Sequence, residues 1–152
     1  MKKKIIYCLL VACSVFTLMG CDKNEPNLVN TSTYYHDDFV LQHYAANPDT
    51  ASSSEYEVSV LGGQSRVPGP TDYKYTGVIY LTEDAALSYI DDYEWVEADN
   101  VPFDCSNIDY KYLENDTWYT CSDFTQSYFK GVAVSSLYFN CEDALIFSVS
   151  TY

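Results

Sequence analysis

Positive charge is what this 152-residue chain has least of: eight Lys or Arg stand against 22 Asp or Glu, for a net charge of −14. Three of those eight, Lys2, Lys3 and Lys4, crowd the extreme N-terminus. Such a balance repels phosphate backbones and anionic lipid headgroups, which argues against nucleic-acid binding and against membrane attachment through side chains. Histidine is nearly absent, with only His36 and His43, so a histidine-rich metal centre has little to draw on. The cysteines lack the short paired spacing of zinc ribbons. No glycine-flanked serine forms a nucleophile elbow, and with this many acids carboxylate pairs fall together by chance. Nothing in the sequence asks for a cofactor, and we expect a non-enzymatic protein. After residue 20 no apolar run reaches membrane length.

What is present begins at the N-terminus. The three lysines lead into an apolar run from Ile5 to Met19 that stops at Gly20 and Cys21. A charged start, a short apolar core and a small residue read as a signal peptide, since a core of this length is too short to cross ~30 Å of hydrocarbon comfortably. Leu18, Met19, Gly20 and Cys21 resemble the lipobox of bacterial lipoproteins. That resemblance implies cleavage before Cys21 and a diacylglycerol on its thiol, so the membrane is a partner through the lipid at Cys21. At ~0.8 kcal/mol per buried methylene, two or more fatty chains hold an acidic body firmly. Losing residues 1–20 removes three lysines and no acid, which moves the net charge from −14 to −17.

The order expected is therefore a leader over 1–20, a polar tether over 21–33 containing Pro26, and one acidic domain over 34–152. Asp22, Lys23, Asn24 and Glu25 loosely resemble the acidic surface-export signals of Bacteroidota lipoproteins, which implies an outer-membrane, surface-exposed location; Asp22 directly after the cysteine leaves the periplasmic face as the alternative. Asp49, Thr50 and Ala51 resemble the short O-glycosylation motif of the same phylum and mark Thr50 as its acceptor.

Within the domain, Tyr34 to Ala46 predicts a short helix, with Tyr35, Phe39, Val40, His43 and Tyr44 on one side and both histidines sharing it. Asn47 to Ser54 reads as loop. Tyr56, Val58 and Val60 alternate with Glu55, Glu57 and Ser59, the pattern of a strand with one buried and one wet face. A rigid turn over Val67 to Pro70 and a strand over Tyr73 to Leu81 follow. Residues 82–93 fit either a helix capped by Thr82, with Ala86, Leu87 and Ile90 inward, or a hairpin turn at 82–85. Ile108 to Leu113 and Thr117 to Cys121 read as one hairpin, and Phe129 to Phe139 with Ala144 to Tyr152 as the core hairpin. The fold expected is mainly β, an antiparallel sandwich or partly closed barrel with one or two short helices, with α+β as the alternative.

The hairpin reading brings Cys105 and Cys121 to one end and leaves Cys141 in the far turn, so a Cys105–Cys121 disulfide is expected; three unpaired thiols or a Cys141 bridge are the alternatives. Asp91, Asp92, Glu94, Glu97 and Asp99 form the densest acidic run, which matches no EF-hand spacing and is read as a solvated edge. Two partners suit this chemistry: a basic protein steered by charge, as for small acidic immunity or inhibitor lipoproteins, or a glycan stacked on tyrosines and on Trp95 or Trp118.

Overall fold

The computed structural model describes residues 32–61, 71–102, 105, 107–108 and 117–151. The leader, Cys21, most of the tether, the expected turn at Val67 to Pro70 and all but Ile108 of the strand expected over Ile108 to Leu113 lie outside the described residues. In chain order the elements are β1 (Thr33–Tyr35), α1 (Phe39–Tyr44), a short 3₁₀ turn (Pro48–Thr50), β2 (Ala51–Leu61), β3 (Asp72–Leu81), α2 (Glu83–Asp92), β4 (Val96–Glu97), β5 (Tyr119–Thr120), α3 (Ser122–Tyr128), β6 (Ala133–Phe139) and β7 (Ala144–Ser150). The expected mainly antiparallel β domain is what the chain forms: one open sheet of seven strands in the order β1-β2-β3-β7-β6-β5-β4.

The centre follows from residue type. In β7, Ala144 to Val149 are all buried, a continuous run that belongs in a strand covered on both faces. It pairs with β3 from Tyr80↔Ala144 to Lys74↔Ser150 and with β6 from Phe139↔Leu145 to Ala133↔Ser150. One face of the sheet carries Tyr56, Tyr75, Ile79, Leu137, Phe139, Leu145, Phe147 and Val149, packed under Val40 and Leu41 of α1 and Phe124 and Tyr128 of α3. Each of these large apolar side chains contributes roughly 2 to 3 kcal/mol by leaving water. The opposite face carries Val78, Ala144 and Ile146, covered by Cys105, Ile108 and Trp118.

Local chemistry sets the helix starts. Asp37 Oδ1 accepts the Phe39 N–H at 2.9 Å, so the chain turns into α1 only at Phe39, after His36. The two histidines therefore do not share a helix, and the buried pair is Val40 and Leu41 rather than Phe39 and His43. Thr82 Oγ1 accepts the Ala85 N–H at 3.4 Å, and Glu83 and Asp84 complement the positive helix start, which makes 83–92 a helix rather than a turn. Its inner side is Ala85, Ala86 and Tyr89; Leu87 and Ile90, expected inward, are exposed.

Two further expectations are corrected. The segment read as loop becomes strand from Ala51, with Ser54 fully buried because its hydroxyl donates to Asp37 O at 2.6 Å. The wet face of β2 is not wet at Glu57, which is buried and accepts the Asn107 N–H on Oε1 at 2.5 Å. Of the hairpin expected from Ile108 to Leu113 and Thr117 to Cys121, residues 109–116 lie outside the described residues; β5 is seen beside Val96–Glu97 and Phe139.

Candidate functional site

Alternation along β2 and β3 decides which rings share a face. Tyr56 lies opposite Gly77, Val58 opposite Tyr75, and Val60 opposite Tyr73, so Tyr56, Val58, Val60, Tyr73 and Tyr75 all project from the helix-covered side. The helices cover only part of that side. Tyr75 is buried, while Val60 is 52% exposed, Tyr35 41%, Phe39 40% and Tyr73 38%.

The exposed rings form one connected surface around Tyr75. Phe39 stacks on His43 at 4.1 Å and lies 6.2 Å from Tyr75. Tyr44 and Tyr73 approach Tyr75 at 5.5 and 6.4 Å. Tyr35 stacks on Tyr56 at 5.5 Å, and Tyr56 lies 6.0 Å from Tyr75. Offset ring contacts of this kind add ~0.5 to 1.5 kcal/mol each beyond burial and hold the face rigid before anything binds. Asp37 fixes its margin, accepting the Tyr56 hydroxyl at 2.5 Å and the Phe39 N–H on the same oxygen. Burial, and then the bond to Asp37, pushes the Tyr56 hydroxyl well above the usual phenol range; burial and Tyr44 do the same for Tyr75. Tyr56 and Tyr75 thus remain neutral across the physiological range.

Chemically, this surface offers apolar ring faces with negative quadrupoles beside the exposed carboxylate-bearing pair Asp37 and Asp38. Of its two neighbouring histidines, His43 Nδ1 lies 2.9 Å from Phe39 O, and His36 Nδ1 is 4.0 Å from Glu55 Oε1.

The residues singled out in the sequence are scattered. The expected Cys105–Cys121 disulfide is not formed, and the sheet itself separates the two: Cys105 packs with Val78 and Trp118 on one face, Cys121 with the α3 side of the other. Cys105 Sγ instead donates to Thr76 O at 3.3 Å. Thr50 sits in the 3₁₀ turn, where its hydroxyl donates to Asn47 O at 2.8 Å and its carbonyl accepts Thr82 N–H at 2.9 Å. The acidic run straddles the end of α2 and β4; Asp92 accepts the Ser88 hydroxyl, and with Glu94 and Asp123 it borders a polar hollow of about 600 Å³. Among the described residues no group of three or more His, Cys, Asp or Glu is arranged to hold a metal ion. Neither tryptophan belongs to a surface platform. Trp118 is buried, and Trp95 is half-buried against Phe124 and Phe139 with its indole N–H donating to Tyr89 O at 2.8 Å. The exposed rings Phe39 and Tyr73 carry the surface instead.

Comparison with protein-family models, with curated proteins and with solved structures gave no match for this chain. The reading of its function therefore rests on these side chains.

Proposed function

We propose that this chain is a membrane-anchored, extracytoplasmic lipoprotein with a non-enzymatic binding role, held by lipid on Cys21 and engaging its partner through the aromatic face around Tyr75. The observation that carries the reading is the exposure of Tyr35, Val60 and Tyr73 on a partly helix-covered sheet face, together with that of Phe39 of α1, whose ring lies 6.2 Å from Tyr75. Contiguous apolar surface held open to water is costly to solubility and marks a contact site more often than chance. Tyrosine and phenylalanine suit such a site because each brings large contact area with few rotatable bonds to fix.

The leader, the lipobox-like Leu18 to Cys21 and the polar stretch up to residue 33 support anchoring, with the outer membrane and its outer surface as the location. Thr33 itself already pairs with Val58, which places the domain directly at the end of that stretch. The net charge of −17 after leader removal keeps the body off anionic headgroups. A fatty-acid probe fed to cells making the chain should label it, and Cys21→Ala should lose the label and shift to the soluble extracytoplasmic fraction. Label retained by Cys21→Ala would overturn the anchored reading.

A further inference from the structure

We propose that the partner of the aromatic face is a protein segment bearing Lys or Arg, whose cationic side chains lie on the rings of Phe39 and Tyr73 beside Asp38. The inference rests on the binding role assigned to that face and names the partner's chemistry. Its support is the combination of rings and charge. A cation is drawn to an aromatic face by the ring quadrupole, more strongly when a carboxylate stands beside it. Here Asp37 and Asp38 directly precede Phe39, and both are exposed. Asp37 is occupied by Tyr56 and the Phe39 N–H, which leaves Asp38 as the carboxylate with no such duty.

Lys and Arg competitors are scarce, and although His43 stacks on Phe39 at 4.1 Å, 40% of Phe39 stays exposed beside it. Among the described residues the Lys and Arg side chains are Lys74, which projects from the opposite face of β3, and Lys130, whose ammonium donates to Ala46 O. The chain as a whole is acidic and Asp37 and Asp38 are exposed beside Phe39 in sequence, so a basic partner gains both steering and contact, whereas an acidic glycan or protein loses both. Guanidinium is the better fit of the two cations, since its plane stacks on rings while its edge reaches a carboxylate.

Titration of the full chain in neutral detergent with a Gly-Arg repeat heptapeptide, its citrulline counterpart and cellohexaose separates the cases. The arginine peptide should bind about tenfold tighter than the citrulline one, through two ring contacts and one carboxylate. The Phe39→Ser, Tyr73→Ser double variant should lose about tenfold, and Asp38→Asn should weaken binding severalfold. Glu142→Gln, the same change of charge on the distant β6–β7 turn, should leave it unchanged. Equal binding of the citrulline peptide, or binding of cellohexaose alone, would overturn the cationic partner and leave the face as a binding site. Arginine-peptide binding that survives the ring substitutions, or that falls equally in Asp38→Asn and Glu142→Gln, would overturn it as diffuse charge. A face that takes none of the three would count against the binding role as well.

Discussion

Replacing Gly77 by alanine should destabilise the protein by about 3 kcal/mol or more, among the largest effects available to one added methyl. Gly77 sits in the middle of β3, opposite Tyr56 on β2 and Phe147 on β7, at the point where the two long hairpins meet. A Cβ at this position would overlap Glu55 O and lie 2.6 Å from Tyr56 Cβ and 2.7 Å from Tyr56 Cα. Two of these three are backbone atoms of β2, so no side chain can swing aside, and β2 must separate from β3 around Tyr56. That movement would also strain the Tyr56 hydroxyl bond to Asp37 that holds the aromatic margin. Gly131 makes the contrast. Its φ is +70° and the space a Cβ would take is open, with nothing within 4 Å, so alanine there carries only the ~1 kcal/mol cost of a left-handed backbone. Urea unfolding of both variants measures the difference: the Gly77→Ala midpoint should fall far below that of Gly131→Ala with little change in slope. Equal midpoints would mean that β2 and β3 are not packed this closely.

The second large effect is expected at Asn140. Its Oδ1 accepts the N–H groups of Glu142, Asp143 and Ala144 at 3.0, 3.0 and 2.9 Å, and its own N–H closes the β6–β7 hairpin to Ala144 O at 3.1 Å. One side-chain oxygen thus organises the whole turn, including Cys141 at a left-handed φ of 58°. Asn140→Ala strips the shared acceptor from a buried position, and at roughly 1 kcal/mol per bond lost the cost should be about 2 to 3 kcal/mol. Asp143 lies near the amide, with Asn140 Nδ2 3.4 Å from Asp143 Oδ1, so Asn140→Asp would keep the acceptor and add repulsion. Thermal denaturation ranks them: wild type most stable, then Asn140→Asp, with Asn140→Ala least stable. An alanine variant as stable as wild type would show that the turn is set by its backbone alone.

The sheet was legible wherever residue type and period agreed. The run Ala144 to Val149 reads as strand from its β-branched and aromatic residues, and Tyr56, Val58 and Val60 from their period of two, neither of which needs tertiary information. The helix at Glu83 was half legible: the Thr82 cap is local chemistry, but Leu87 and Ile90 face solvent because the inner side of α2 is supplied by Ala85, Ala86 and Tyr89, the last against Phe124. Glu57 looked wet by alternation, and its burial depends on residues fifty positions away, through the Asn107 N–H. The cysteine pairing failed for the same reason. Once β5 pairs with β4 and β6, Cys105 and Cys121 fall on opposite faces of the sheet. As for the candidate site, the sequence displays its tyrosines but not the edge of helix coverage. Whether Tyr73 is bare and Tyr75 covered depends on how far Phe39 and Tyr44 reach across β3, a distance written in packing rather than period.

If the Phe39 and Tyr73 face is where an anchored protein meets its partner, in-cell photocrosslinking tests it most directly. A photoreactive phenylalanine placed at position 39 of the full chain should give a discrete adduct with one partner, lost when Tyr73→Ser is added although the protein stays folded. The same group at Glu142, exposed on the far turn, should give none. Adducts of equal yield at both positions, or at Glu142 alone, would contradict the account.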